Sequence, residues 1–463
     1  MIFEQHYLDC LSQASYLIGD ESTGRAVVVD PRRDIDVYLE SAAEHGLSID
    51  TVIETHFHAD FLTGHLELAA ATGATICYGS EAETEFESRK LADGERISLG
   101  EVALEVRYTP GHTPESISLV VYEHADDPVP YGVLTGDTLF IGDVGRPDLL
   151  SSRGVTADDL AGRLYDSLHT QLLSLPDQTR VFPAHGAGSA CGKSMSTDTS
   201  STIGDQRRTN YALAPMSRAE FIDVVTEGQS SPPAYFGYDA ARNRQMRALL
   251  DEHQPPEPLD LDAVVHRQLD GAIVLDTRDP ADFAAGHLAG SINVGLSGRY
   301  AEYTGGVVQT GAPIVLVTDP GTELEAKVRL ARVGFDNVVG HLAEPYQAME
   351  AHPDLTRTAS RLTVTDLDER RASVADLVVL DVRQPGELAG GTIDGSVHIP
   401  LTELTKRMTE LDASRPTVVY CAGGYRSSIA ASCLRHNGFT DVSDLLGGYG
   451  ACEVSRPGSA ATT

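Results

Sequence analysis

The sequence predicts a multidomain α/β protein, and three observations carry that expectation. Up to about residue 245, short β-branched runs alternate with glycine-rich turns and helical stretches. A proline-rich stretch, Gln254-Pro255-Pro256-Glu257-Pro258, then acts as a stiff, extended connector. Beyond it the chain repeats its own pattern, alternating strands and helices as small parallel α/β domains do. A length of 463 residues fits two to four domains at roughly 100–200 residues each. The expected division is a first domain over 1–245, a linker over 246–258, and two repeats over 259–352 and 360–455.

In the first domain, Ala26-Val27-Val28-Val29 reads as a buried strand ending at Asp30-Pro31, and Thr51 to Thr55 as another. Val102 to Tyr108 and Ser116 to Tyr122 form a strand pair around the turn Thr109-Pro110-Gly111-His112-Thr113-Pro114. Ser194 to Thr202, rich in Ser and Thr, reads as a surface loop. In the repeats, Leu275-Asp276-Thr277-Arg278 is echoed by Leu380-Asp381-Val382-Arg383, and Gly286 to Ser291 by Gly391 to Ser396. Pro313 to Thr318 is echoed by Pro416 to Cys421, and Gly334-Phe335 by Gly438-Phe439.

Composition narrows the function classes. Lys+Arg is 35 against Asp+Glu 68, a formal charge of −33. Such a surface repels phosphate backbones and anionic lipid, so neither nucleic acid nor membrane is expected as a partner. Lysine is scarce beside arginine while acids are abundant, a balance that high-salt adaptation and a GC-rich genome would each explain. Hydrophobic residues make up 41%, enough for real cores. No apolar run approaches the roughly 18 residues that span a bilayer. Met1 to His6 lack a basic and then apolar pattern, so a cytoplasmic location is expected. The 6 cysteines include no Cys-x-x-Cys pair, which excludes knuckle-type zinc and a disulfide framework. An assembly of like subunits is compatible with the sequence.

The densest chemical signal is Thr55-His56-Phe57-His58-Ala59-Asp60-Phe61-Leu62-Thr63-Gly64-His65, directly after a predicted strand. His112 follows in its Pro-Gly turn, then Asp137 in Thr135-Gly136-Asp137-Thr138, then His185 in Pro183-Ala184-His185-Gly186. Imidazole and carboxylate donors at strand ends, with glycines allowing close approach, are what a divalent metal requires. These motifs resemble the metallo-β-lactamase fold, an αββα sandwich, over about residues 1–245. Members of that fold usually carry a further histidine, a ligand of a second metal, where this chain has Phe61. A phenyl ring cannot ligate a metal.

The loss points to the mononuclear persulfide dioxygenases of this fold. That resemblance implies Fe(II) held by His56, His112 and Asp137, a facial triad with positions left for a thiolate-type substrate and O2. His58, Asp60 and His185 would then orient ligands and water. If one of them is instead a ligand, the protein moves toward the zinc hydrolases. Ile141 to Asp148 resembles the Gly-Arg-x-Asp segment of the dioxygenases, where Arg146 binds a substrate anion or steadies the wall through Asp148. Cys191 sits where fused dioxygenases keep a cysteine near iron, and it could relay sulfur.

The second repeat carries Tyr420-Cys421-Ala422-Gly423-Gly424-Tyr425-Arg426-Ser427-Ser428 between a strand and a helix. Small residues let the backbone N–H groups of Ala422, Gly423, Gly424 and Tyr425 converge on a substrate sulfur or oxyanion. The helix adds its positive end, which favours the reactive thiolate, and Arg426 can pair with an oxyanion. This half resembles a rhodanese domain, and Cys-x4-Arg is the shorter loop associated with sulfur transfer. Cys433 and Cys452 read as packing residues. The first repeat has Thr318-Asp319-Pro320-Gly321 instead, with no thiol, one N–H removed by proline, and an acid that repels anions. It resembles an inactive rhodanese.

The domain order resembles persulfide dioxygenase–sulfurtransferase fusions. The resemblance implies that RSSH and O2 give RSH and sulfite, and that Cys421 interconverts sulfite and thiosulfate, in sulfide detoxification. Tethering the two sites raises the effective concentration of sulfite at the second. Two rivals are a zinc thioesterase of the glyoxalase II type joined to a rhodanese, and a non-catalytic sulfur carrier.

Overall fold

The computed structural model describes residues 1–149, 155–229 and 231–455. The chain forms two compact units, one of residues 1–232 and 236–250, the other of residues 233–235 and Asp251 onward. Among the described residues, no helix is long and apolar enough to cross a membrane.

The first unit is built on two six-stranded sheets. One contains β1 (Ile2–Leu8), β2 (Gln13–Asp20), β3 (Arg25–Val29), β4 (Ser48–Ile53), β5 (Thr75–Gly79) and β6 (Arg89–Leu91) in sequence order. The other contains β7 (Arg96–Ser98), β8 (Ala103–Tyr108), β9 (Ile117–Tyr122), β10 (Gly132–Gly136), β11 (Arg180–Pro183) and β12 (Ser201–Thr202), also in sequence order across the sheet. Successive side chains of a strand point to opposite faces, and both faces are buried here. Val27 and Val29 pack into the core between the sheets, with Leu104, Val106, Leu119 and Val121. Ala26 and Val28 pack outward against Tyr38 and Ala42 of the helix Asp36–Glu44 and Leu68 of the helix His65–Thr72. Val120 and Val133 likewise face Leu164 of the helix Ala157–Ser167. The result is an αββα sandwich, and the unbroken apolar run Ala26–Val29 follows from having a layer on each side. The predicted strand Thr51 to Thr55 ends two residues early, because Thr55 turns inward and donates both its N–H and its hydroxyl to Asp30. Ser194 to Thr202 runs along the surface until Ser201–Thr202 pairs with β11 as an edge strand.

The second unit holds both repeats. The first comprises β13 (Pro258–Leu259), β14 (Ile273–Asp276), β15 (His287–Leu288), β16 (Ile292–Asn293), β17 (Ile314–Val317), β18 (Val338–Leu342) and β19 (Thr356–Arg357). β15 and β19 pair separately, and the rest form a sheet in the order β13-β18-β17-β14-β16, every pairing parallel. The second repeat has β20 (Ser360–Leu362), β21 (Val378–Asp381), β22 (Val397–His398), β23 (Thr417–Tyr420) and β24 (Val442–Leu445), in the order β20-β24-β23-β21-β22, again parallel. The proline-rich stretch is not a free connector. Lys327 Nζ donates to the carbonyls of Asp251 and Gln254, and Pro258 joins the sheet on its edge strand, where a missing N–H costs nothing.

Candidate functional site

In the first unit, His56, Asp137 and His185 follow the C-terminal ends of β4, β10 and β11, and His112 lies in the turn between β8 and β9. Gly136, at φ 52°, lets the backbone turn beside β4, where an added Cβ would come within 2.7 Å of Thr55 Oγ1. His56 Nε2 and His112 Nε2 stand 3.7 and 3.4 Å from Asp137 Oδ2. One donor atom from each residue lies within 4.8 Å of the others, so the three can hold a metal ion.

Second contacts fix which ring nitrogen faces the centre. His112 Nδ1 lies 2.8 Å from the Arg146 carbonyl, which only accepts, so Nδ1 carries a hydrogen and Nε2 keeps its lone pair. Thr55 Oγ1 donates to Asp30 Oδ2 at 2.8 Å, so it accepts from His56 Nδ1–H at 2.9 Å and again leaves Nε2 free. Burial, reinforced by His58, pushes His56 well below the ordinary histidine range and keeps that ring neutral. His56 Nε2 and Asp137 Oδ2 are buried without a hydrogen-bond partner. Buried polar atoms without partners are costly, and a shared cation would satisfy both.

The residues expected to orient ligands divide sharply. His185 bridges two acids, with Nδ1 2.8 Å from Asp137 Oδ1 and Nε2 2.8 Å from Asp60 Oδ2. Burial opposes its charge, but Asp137 and Asp60 outweigh burial and lift it well above the ordinary value. Burial would raise Asp137, yet His185 and His56 hold it far below the usual carboxylate range. His58 Nε2 lies 3.2 Å from Asp30 Oδ1 and 3.7 Å from Glu54 Oε2, and one His58 ring nitrogen lies within 4.8 Å of donor atoms of Asp60 and His185, a second group that could hold a metal ion. Phe61 is buried with its ring centroid 4.4 Å from that of His58. Asp30 and Glu54 escaped the sequence reading because they lie outside the histidine motif; the only trace of Asp30 was its place at a strand end.

Arg146 is buried and grips Asp148 with two bonds of 2.7 and 2.8 Å, while Nη1 donates to the Ala190 carbonyl. Arg146 thus makes the Asp148 pairing on which one of its two expected roles depends. Cys191 offers a sulfur among the donor atoms of Asp137 and His185. Burial, with Asp60 and Asp137 nearby, pushes its thiol well up, which disfavours the thiolate a relay would use.

In the second unit, Cys421 is buried at the end of β23, and the Gly424 N–H donates to its Sγ at 3.1 Å. Gly424 adopts φ 102° and opens the helix Tyr425–His436. The outer side of the loop is held by Tyr449 N–H on the Cys421 carbonyl and Gly450 N–H on the Ala422 carbonyl. Gly448 is required there, since a Cβ would stand 2.2 Å from the Cys421 oxygen. Ala422 and Gly423 are exposed at the mouth. One expected anion contact, the Arg426 guanidinium, is occupied by a protein group, and the Tyr425 side chain is committed elsewhere. Arg426 forms a bidentate pair with Glu387 at 2.6 and 2.7 Å, and the Tyr425 hydroxyl donates to the Gly295 and Ser297 carbonyls of the first repeat. The first repeat's Thr318 is buried, and the Asp319 beside it accepts from Tyr346. Cys433 and Cys452 are buried in packing positions.

Comparison with known proteins matches residues 8–185 to the metallo-beta-lactamase superfamily and residues 261–352 and 363–453 to the rhodanese-like domain. Persulfide dioxygenase ETHE1 of Homo sapiens is 30% identical over 46% of this chain and 75% of its own length. The hydroxyacylglutathione hydrolase of Rhodospirillum rubrum is 31% identical over 50% of this chain and 82% of its own. A metallo-beta-lactamase structure from Staphylococcus aureus is 32% identical, with a TM-score of 0.66, and covers 73% of this chain and 98% of that one.

Proposed function

The chain belongs to the metallo-beta-lactamase superfamily in its N-terminal half and continues into two rhodanese-like domains, and from that premise we propose that it is a persulfide dioxygenase coupled to a sulfurtransferase. The dioxygenase reaction is RSSH + O2 + H2O giving RSH, sulfite and two protons, with R a low-molecular-weight thiol carrier. The observation that carries this reading is a three-residue donor set, His56, His112 and Asp137, beside a buried Phe61 that offers no ligand to a second metal. Bound ferrous iron would supply the activation of O2. The chain's own residues do the rest. His185 holds the second oxygen of Asp137, Thr55 and the Arg146 carbonyl hold the two ligand rings, and Phe61 excludes water from one wall.

At the second centre, the Cys421 thiolate takes sulfane sulfur from a second RSSH, forming a Cys421 persulfide and releasing RSH. Sulfite then attacks the outer sulfur, and thiosulfate leaves with Cys421 regenerated. The sum, RSSH plus sulfite giving RSH plus thiosulfate, consumes the sulfite made at the first centre together with a second RSSH. Gly424 N–H and the helix end stabilise the departing thiolate. Arg426 must exchange Glu387 for the sulfite oxyanion.

The similarity to a hydroxyacylglutathione hydrolase favours a second reading, a zinc thioesterase joined to the same sulfurtransferase. Oxygen consumption separates the two. The protein loaded anaerobically with Fe(II) should take up O2 when glutathione persulfide is added, and His112→Ala should lose that uptake. Absence of uptake, repeated with coenzyme A persulfide, would overturn the dioxygenase reading in favour of the hydrolase.

A further inference from the structure

The first repeat lacks a thiol, yet its loop Gly295–Ser297 and edge strand β16 meet the helix that completes the Cys421 cradle. Tyr425, the first residue of that helix, donates its hydroxyl to Gly295 O at 2.7 Å and Ser297 O at 3.0 Å. Burial pushes its phenol well up, so the proton needed for donation stays in place. Its ring stands edge-on to Tyr303 of the first repeat, 5.6 Å between centroids. Two turns further along, Ser432 Oγ accepts the Asn293 N–H at 2.9 Å, and His436 Nδ1 lies 2.7 Å from the Gly290 carbonyl. An edge strand carries unpaired N–H groups, and here the partner helix satisfies one of them. The receiving loop is itself braced, because Arg329 donates to the carbonyls of Leu296 and Gly298.

We propose that the thiol-less repeat positions the sulfur-transfer cradle, and that Tyr425 is the positioning residue through which it acts. The inference rests on the sulfur-transfer reading of Cys421. The cradle is held by its own repeat through the Tyr449 and Gly450 N–H groups on the Cys421 and Ala422 carbonyls, but the side chains of residues 422–424, Ala-Gly-Gly, supply no anchor, and Ala422 and Gly423 are exposed. Its aim at Sγ depends on Gly424, which immediately precedes Tyr425. Anchoring Tyr425 from outside therefore fixes where the Gly424 N–H and the helix end point. The Tyr425 N–H remains one of the groups expected at the cradle, while its hydroxyl is committed to the neighbouring repeat.

The test compares alkylation of Cys421 in the full-length chain by anionic iodoacetate and neutral iodoacetamide at neutral pH, followed on the Cys421 peptide by mass spectrometry. The rate ratio reads the anion preference of the cradle, which a general loss of stability in a still-folded protein does not change. Tyr425→Phe keeps the ring against Tyr303 and should lower the ratio by about five-fold, the equivalent of one hydrogen bond. Arg329→Gln lies wholly within the first repeat and should lower it in the same direction. An unchanged ratio in either variant overturns the proposal. Alkylation needs no sulfur substrate. A chain inactive toward persulfide and thiosulfate would thus sink the proposed function while this ratio still judged the positioning role.

Discussion

The two repeats of the second unit share a scaffold and differ in one loop. Their sheets have matching strand orders. Arg278 binds Asp276 through Nε at 3.0 Å and Nη2 at 2.6 Å, and Nη2 also donates to Gly286 O at 2.8 Å. Arg383 makes the same three bonds, to Asp381 at 3.0 and 2.7 Å and to Gly391 O at 2.8 Å. The repeated Asp-x-Arg and its downstream glycine thus clamp the fold whether or not a thiol follows. The repeats part in the loops that follow β23 and β17: Cys421-Ala-Gly-Gly, whose N–H groups can converge, and Thr318-Asp-Pro-Gly, which lacks a thiol and one N–H. The shared clamp is a sign of the fold, and the loop is the sign of activity.

The largest expected effect comes from Cys421→Ser, which should abolish thiosulfate formation while O2 uptake in the first unit persists. Loss of both would mean that the centres are not separable. Next, Arg278→Ala and Arg383→Ala should each cost about 3–5 kcal/mol, because each strands a buried carboxylate. Urea unfolding of the two variants checks this, and a penalty in only one repeat would break the idea of a common clamp. A smaller effect is expected from Glu387→Gln, which releases Arg426 and should lower the KM for thiosulfate by about three-fold. An unchanged KM would remove Arg426 from anion binding.

The same pair has a pH signature. Burial would raise Glu387, but the Arg426 bonds outweigh it and leave the carboxyl below its usual range. A lowered folded value means that the pair's stabilisation is complete above the unfolded value of about 4.3 and is lost as pH falls through the folded one. Thermal melts from pH 6 downward should therefore show wild type and Glu387→Gln converging only in acid. The smallest effect is the most pointed comparison. In a Cys421→Ser chain, adding Thr318→Cys should restore no measurable sulfur transfer, because Pro320 and Asp319 still spoil an anion cradle; any turnover there would show that the thiol alone separates the repeats.

The sequence alone was enough to expect the architecture and most chemistry-bearing residues. Strand periodicity and the repeat are patterns of the chain itself, while the motifs around His56, His112, Asp137 and His185 and the Cys-x4-Arg loop took their meaning from the families they resemble. Phe61 stood out only through the resemblance to a fold whose members usually keep a histidine there, since a phenyl ring cannot ligate a metal. Tertiary structure decided how equivalent-looking residues divide their work. His56 and His58 are both motif histidines, yet Thr55 fixes the His56 ring with Nε2 toward Asp137, while His58 Nε2 lies beside Asp30 and Glu54. His185 bridges two carboxylates, Glu387 occupies Arg426, and Tyr425 anchors to a repeat more than a hundred residues earlier in the chain. Hydrogen-bond direction and charge pairing depend on which groups folding brings within about 3 Å, and no local pattern encodes that distance.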